Sequence, residues 1–173
     1  MMAIPDKLGK LKDKSVYLLV LSPEHYVYVR EYLSRMLAKK DQPSLYVSLN
    51  QPLPYLTRYL RNLGIDLSGL RIIDACPVKL SRASSSGKLS LTRLSMDITN
   101  VTAEASYRFL ILDSMSTLLV YSDQNTAERF IHYLINKLRL LGTGGIILAV
   151  NDEASKKISP TLAQFCDEVV SFD

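Results

Sequence analysis

With 173 residues, 47% of them hydrophobic and 22% charged, the chain has the composition of an ordinary globular protein and the length for one sizeable core, so a single domain over 1–173 is expected. The 21 basic and 17 acidic residues leave a net charge of +4, which permits nucleic-acid contact without arguing for it. No apolar run approaches the roughly 18–20 residues of a bilayer span, the opening Met1-Met2-Ala3-Ile4-Pro5-Asp6-Lys7 lacks a signal-peptide core, and Cys76 and Cys166 are too few and too far apart for a disulfide framework or a zinc set. No membrane association is expected, and both cysteines read as buried thiols of a reduced, cytoplasmic compartment.

Residues 1–14, with lysines and two aspartates over 6–14, form a solvated lead-in. Ser15 to Leu21 is a fully apolar strand, and Ser22-Pro23-Glu24 is a strong helix start, with Ser at the N-cap, Pro at the first helical position and an acid in the first turn. The helix is predicted to run to about Lys40, with Tyr26, Val29, Leu33, Met36 and Leu37 on its inner face and Arg30, Arg35 and Lys39 outside. Ser44 to Leu49 is the next strand, ended by Asn50-Gln51-Pro52. Pro54 opens a helix that closes near Leu63 with Gly64 as the residue past its end, and Arg58 and Arg61 lie on its solvated face. Leu70 to Ala75 is the third strand, stopped by Cys76-Pro77.

Residues 78–94 carry Lys79, Arg82, Lys88 and Arg93 with three consecutive serines and no acid, and are expected to be a flexible basic loop. Its Ser86-Gly87-Lys88 lacks the spacing of a phosphate loop. A short helix is predicted over Ser95 to Ala105. Phe109-Leu110-Ile111-Leu112-Asp113 then reads as a strand buried on both faces, closed by a carboxylate at its carboxyl end, where open α/β sheets place their ligands. Two roles fit Asp113: a magnesium-holding Walker-B aspartate, or a strand-end residue capping the next turn. A helix follows from about Ser122 to Leu141, then a strand from Ile146 to Val150 with Asn151-Asp152 after it, a short helix around Thr161 to Phe165, and a last strand Glu168 to Phe172. His132 has no partners at metal-ligand spacing. Alternating strands and helices predict a doubly wound, mostly parallel α/β sheet.

Several segments together resemble the RecA/KaiC-type ATPase core, in the manner of an archaeal-type KaiC-like paralogue. They are Tyr46-Val47-Ser48-Leu49-Asn50-Gln51-Pro52, Leu60-Arg61-Asn62-Leu63-Gly64-Ile65, Phe109 through Leu119, and Gly144-Gly145-Ile146-Ile147-Leu148, within a likeness running from about Ser15 to the C-terminus. The resemblance implies a RecA-like P-loop NTPase fold, a three-layer αβα sandwich of strand order 3-2-4-5-1-6, with a nucleotide site flanked by the first and fourth strand ends.

The departures from that family point away from catalysis. Where the family has a Walker-A loop, this chain has Leu21-Ser22-Pro23-Glu24-His25, and no glycine occurs between Gly9 and Gly64. A phosphate cradle needs glycines to let successive N–H groups converge and a lysine to neutralise charge. Pro23 removes a donor, and Glu24 and the Ser22 hydroxyl occupy the positive helix end. Asn50-Gln51 replaces the adjacent glutamates of the family, and amides cannot act as general bases. Ser22, Pro23, Glu24, Asn50, Gln51, Asp113, Ser114 and Asn151 (in the place of a sensor residue) therefore read as vestigial nucleotide-site positions, with Asp113 expected to bond Ser114, Ser22 or neighbouring backbone N–H groups. No catalytic residue, cofactor or metal is expected. The favoured function is a pseudo-ATPase acting by association, with itself as a small oligomer, a dimer, or with an active KaiC-like ATPase. The Glu168–Phe172 edge, after which no further strands follow, is a candidate contact. The alternatives are an ATP-binding protein or ATPase with a non-standard phosphate site, such as the 78–94 loop, and a nucleic-acid-binding recombinase paralogue, against which the lack of aromatic–basic interleaving counts.

Overall fold

Apolar runs without alternation can be satisfied only between two covering layers, and the chain uses them so. In a computed structural model that describes residues 4–77 and 89–172, six strands form one parallel sheet: β1 (Val16–Leu21), β2 (Ser44–Ser48), β3 (Leu70–Asp74), β4 (Phe109–Asp113), β5 (Gly144–Val150) and β6 (Glu168–Phe172). Their order is β3-β2-β4-β5-β1-β6, every neighbour parallel, as the resemblance implied. Helices α1 (Ile4–Leu8), α2 (Pro23–Leu37), α3 (Leu53–Asn62), α4 (Leu91–Glu104), α5 (Met115–Tyr121), α6 (Gln124–Leu141) and α7 (Glu153–Ala163) cover it. Among the described residues no helix is long and apolar enough to cross a membrane.

Strand alternation divides the interior into two cores. Leu45, Val47, Leu110, Leu112, Ile147 and Ala149 face α4–α7, while Tyr46, Phe109, Ile111, Ile146 and Leu148 face α1–α3. On the second face α2 and α3 lie side by side, both starting from the carboxyl edge of the sheet. Arg35 Nη2 donates to the Leu63 carbonyl at 2.9 Å, and Tyr59 of α3 donates its hydroxyl to Glu31 of α2.

The elements correct the sequence expectation in five places. The solvated lead-in expected over 1–14 contains helix α1, whose Leu8 is 1% exposed and packs into the core on the α1–α3 face, with Ile4 and Leu11 against it. Helix α2 stops at Leu37, before an antiparallel bridge between Lys39 and Gln42. Helix α4 begins at Leu91, not Ser95, because the Ser90 hydroxyl accepts the Arg93 N–H and Leu91, Leu94 and Ile98 already keep helical spacing. Residues 89–94 of the predicted flexible basic loop are thus an ordered helix start, and 78–88 lie outside the described residues. The stretch before α6 is itself a helix, α5, capped by Ser114, whose side chain accepts the Thr117 N–H. Helix α7 runs from Glu153 to Ala163 where a short helix around Thr161 to Phe165 was expected; it is capped by Asp152 accepting the Ser155 N–H and carries Pro160 inside.

Gly69, in the short 3₁₀ turn before β3, is fixed by crowding: a Cβ there would lie 2.3 Å from the Lys39 carbonyl carbon. Gly69→Ala is expected to lower stability by about 1–3 kcal/mol, since backbone cannot yield as a side chain can. A shift of the urea midpoint to lower denaturant checks this, and an unchanged midpoint contradicts the packing.

Candidate functional site

Asp113 closes β4 on the same face as Phe109 and Ile111, so its side chain points beneath α2 rather than out of the sheet edge. Its carboxylate is 1% exposed. Tyr26 of α2 donates its hydroxyl to Oδ1, Tyr46 of β2 donates to Oδ2, and Asn50 Nδ2 donates to Oδ1 at 3.0 Å. The Asn50 amide also donates to the Tyr26 oxygen and accepts the Thr117 hydroxyl of α5. One ionisable group thereby gathers α2, β2, β4 and the β2–α3 turn directly, and α5 through Asn50. The Asp113–Ser114 peptide bond is cis.

Arg30 sits one turn beyond Tyr26 on α2. Helical spacing put it outside, but it is 4% exposed. Its guanidinium lies 5.6 Å from the Tyr26 ring centroid and 5.0 Å from that of Tyr59, so two aromatic faces take the place of water. Its Nε is buried without a hydrogen-bond partner. Burial pushes the Asp113 carboxyl above the usual carboxylate range, against the opposing pull of the Tyr26 and Tyr46 hydroxyls and of Arg30. Burial, followed by the Asp113 charge, pushes both tyrosine phenols up, so both remain neutral donors.

The other sequence-derived positions divide. Asn50 and Asp113 meet, and Ser114 lies beside them, its hydroxyl 3.2 Å from Thr117 Oγ1. Ser22 turns instead to His25, with Oγ 2.8 Å from Nδ1, Pro23 is the first residue of α2, and Glu24 is exposed. The Gln51 carbonyl accepts the Ser48 hydroxyl at 2.7 Å, while its side-chain Oε1 is buried with no partner. Asn151 is exposed at the end of β5, its N–H donating to Leu21. The expected partners of Asp113 are corrected: Ser114, Ser22 and backbone N–H groups are replaced by Tyr26, Tyr46 and Asn50. The missed residues are Tyr26, Tyr46, Arg30 and Thr117. Tyr46 carried a signal, because a tyrosine inside a doubly buried strand must find its hydroxyl a partner. Of the two cysteines, Cys76 is buried and Cys166 partly so, its thiol pushed up to about 11 by burial.

A family model described as "ATPase: KaiC" matches residues 27–173. The chain belongs to the KaiC ATPase family. No curated protein sequence matches it. Among solved structures, a KaiC-like protein, PH0186, from the hyperthermophilic archaeon Pyrococcus horikoshii OT3 is similar in fold. The TM-score is 0.68 at 14% identity, over 95% of this chain and 73% of that one. For this KaiC-family chain the matched span begins within α2, after the β1–α2 turn.

Two outcomes follow from the cluster. Tyr46→Phe leaves Asp113 Oδ2 without its donor and should cost about 1–3 kcal/mol, whereas Tyr28→Phe, at a residue 54% exposed, should fall within about 0.5 kcal/mol of wild type. Because the folded-state pKa of Asp113 is raised, its contribution is fully present below the unfolded carboxylate range and is lost as pH rises through the folded value. The stability of wild type relative to Asp113→Asn should therefore be greatest in acid and decline toward neutrality. Urea titrations of both proteins across that range test this, and a difference that grows with pH contradicts it.

Proposed function

We propose that this KaiC-family domain is a pseudo-ATPase that acts by protein association in the cytoplasm, as a regulatory partner of itself or of an active KaiC-like ATPase. The observation that carries this reading is the closure of Asp113, which turns inward and is met by two hydroxyls and an amide with 1% of its surface exposed.

The residues at this edge do not fit a magnesium nucleotide. A hexacoordinate cation needs open carboxylate oxygen lone pairs and room for its waters, and the Asp113 oxygens face Tyr26, Tyr46 and Asn50 inside the α2 layer. The β1–α2 turn has neither glycine nor lysine, and its Ser22 hydroxyl is engaged by His25. Asn50 supports the reading in a second way. Its amide N–H groups donate to Asp113 Oδ1 and to the Tyr26 oxygen, so a glutamate in its place would lose these donors and set two carboxyl groups side by side. The amide is the residue that the closed cluster requires, beyond being one that cannot act as a base. Ser22, Pro23, Glu24, Asn50, Gln51, Asp113, Ser114 and Asn151 are then remnants of a nucleotide site whose centre has become part of the core.

Isothermal titration with Mg-ATP should give no binding at micromolar ligand, and turnover should stay at background. Asn50→Glu and Gln51→Glu, singly, should create no turnover, and the first should destabilise the fold. A low-micromolar dissociation constant for Mg-ATP overturns the reading in favour of a nucleotide-binding protein with a non-standard phosphate site.

A further inference from the structure

Strand β6 is the edge of the sheet next to β1 and is unpaired on its outer side among the described residues. A hollow flanks it on each face, while Phe172 at its end is buried and Val170 packs against the core. On the α1–α3 face a hollow of about 350 Å³ lies between the strand and Lys7, Lys10, Leu11 and Tyr17, and on the α7 face one of about 270 Å³ is lined by Val20, Ser155, Ser159, Pro160, Ala163 and Val169. A strand laid along this edge would drop alternate side chains into both hollows. Val169, at the edge, is 42% exposed.

Backbone and charge identify the occupant. The Phe172 carbonyl faces β1, where it accepts the Ser22 N–H, so by alternation Val169 and Ser171 present their N–H and C=O groups outward. Consistent with this, the Ser171 carbonyl accepts Lys7 Nζ at 2.6 Å. Antiparallel pairing requires outward residues to oppose outward residues. A second copy of β6 turned about an axis through Val170 meets that requirement, with Val169 opposite Ser171 of the second copy and Glu168 opposite Phe172. Lys7 Nζ lies 4.9 Å from the Phe172 ring centroid, on the same face as Glu168. The same register therefore brings the carboxylate of Glu168 of each copy to Lys7 of the other, and each lysine exchanges a carbonyl for a carboxylate.

We infer that two copies of this chain associate through their β6 edges about a two-fold axis at Val170, joining the two sheets into one and pairing Glu168 with Lys7 across the axis twice. The inference rests on the association reading above and names its surface. It needs no bridging nucleotide.

Sedimentation velocity at micromolar concentration, with and without Mg-ATP, tests it. A dimer unaffected by Mg-ATP is expected. Glu168→Lys or Lys7→Glu alone should raise the dimer dissociation constant roughly tenfold, and the double reversal should restore it. Val169→Lys should leave a monomer, since charge on an edge strand opposes pairing. Leu140→Lys, at a residue 90% exposed on α6, should leave the dimer intact. Circular dichroism keeps a folding defect distinct, because the altered side chains at 168, 169 and 140 are exposed. A dimer indifferent to Val169→Lys and to charge reversal overturns the β6 surface while leaving self-association standing. A monomeric wild type overturns both, and a dimer that forms only with Mg-ATP overturns the nucleotide-free account.

Discussion

A carboxylate removed from water must be met by donors, and Asp113 imposes that constraint on the structure around it. The effective desolvation cost of a buried ion is several kcal/mol. Hydrogen bonds to a charged group return about 1.5–3 kcal/mol each. With three donors the two sides are of similar size, so the cluster adds little net stability. What it contributes is position, because the donors come from separate elements. Tyr26 fixes the first turns of α2 over the sheet, Tyr46 fixes the neighbouring strand, and Asn50 fixes the β2–α3 turn and, through Thr117, the start of α5.

The fold makes this arrangement possible by placing the ends of β2 and β4 side by side, with Ser48 in register with Asp113. In a doubly wound sheet that edge is the place for ligands. Here the edge is kept and the side chain is turned inward, with a tyrosine of α2 in contact where solvent would otherwise reach the carboxylate. Arg30 completes the electrostatics from the α2 side, its charge held between two tyrosine rings. Membership of the KaiC family and closure of this centre are compatible on physical grounds. The sheet is held by apolar strands and helix faces in two cores, so the inward turn of Asp113 leaves the scaffold intact.

Much of the fold was legible because its signals are local. The six strands are short apolar runs bounded by turn residues, and Ser22-Pro23 and Gly142 mark helix ends by chemistry that acts within a few residues. The boundaries that were misread had competing local signals. The serine-rich basic run hid the capping role of Ser90, and Pro160 concealed a helix already under way from Asp152. The site was only half legible. Asp113 and Asn50 follow from strand ends, but the inward turn of the carboxylate depends on which face β4 gives to α2, and Arg30 looked like any solvated arginine on a helix. Its burial depends on Tyr26 and Tyr59, and the α3 tyrosine is brought beside α2 by packing that no sequence spacing records.

The most direct test of the closed centre observes Asp113 itself. In carbon-detected NMR of the side-chain carboxyls, Mn²⁺-ATP broadens any carboxyl close to the bound ion. The account predicts that the Asp113 resonance keeps its line width when Mn²⁺-ATP is added at a concentration that already broadens exposed carboxyls such as Glu24. Selective broadening of Asp113 ahead of the exposed groups would contradict it.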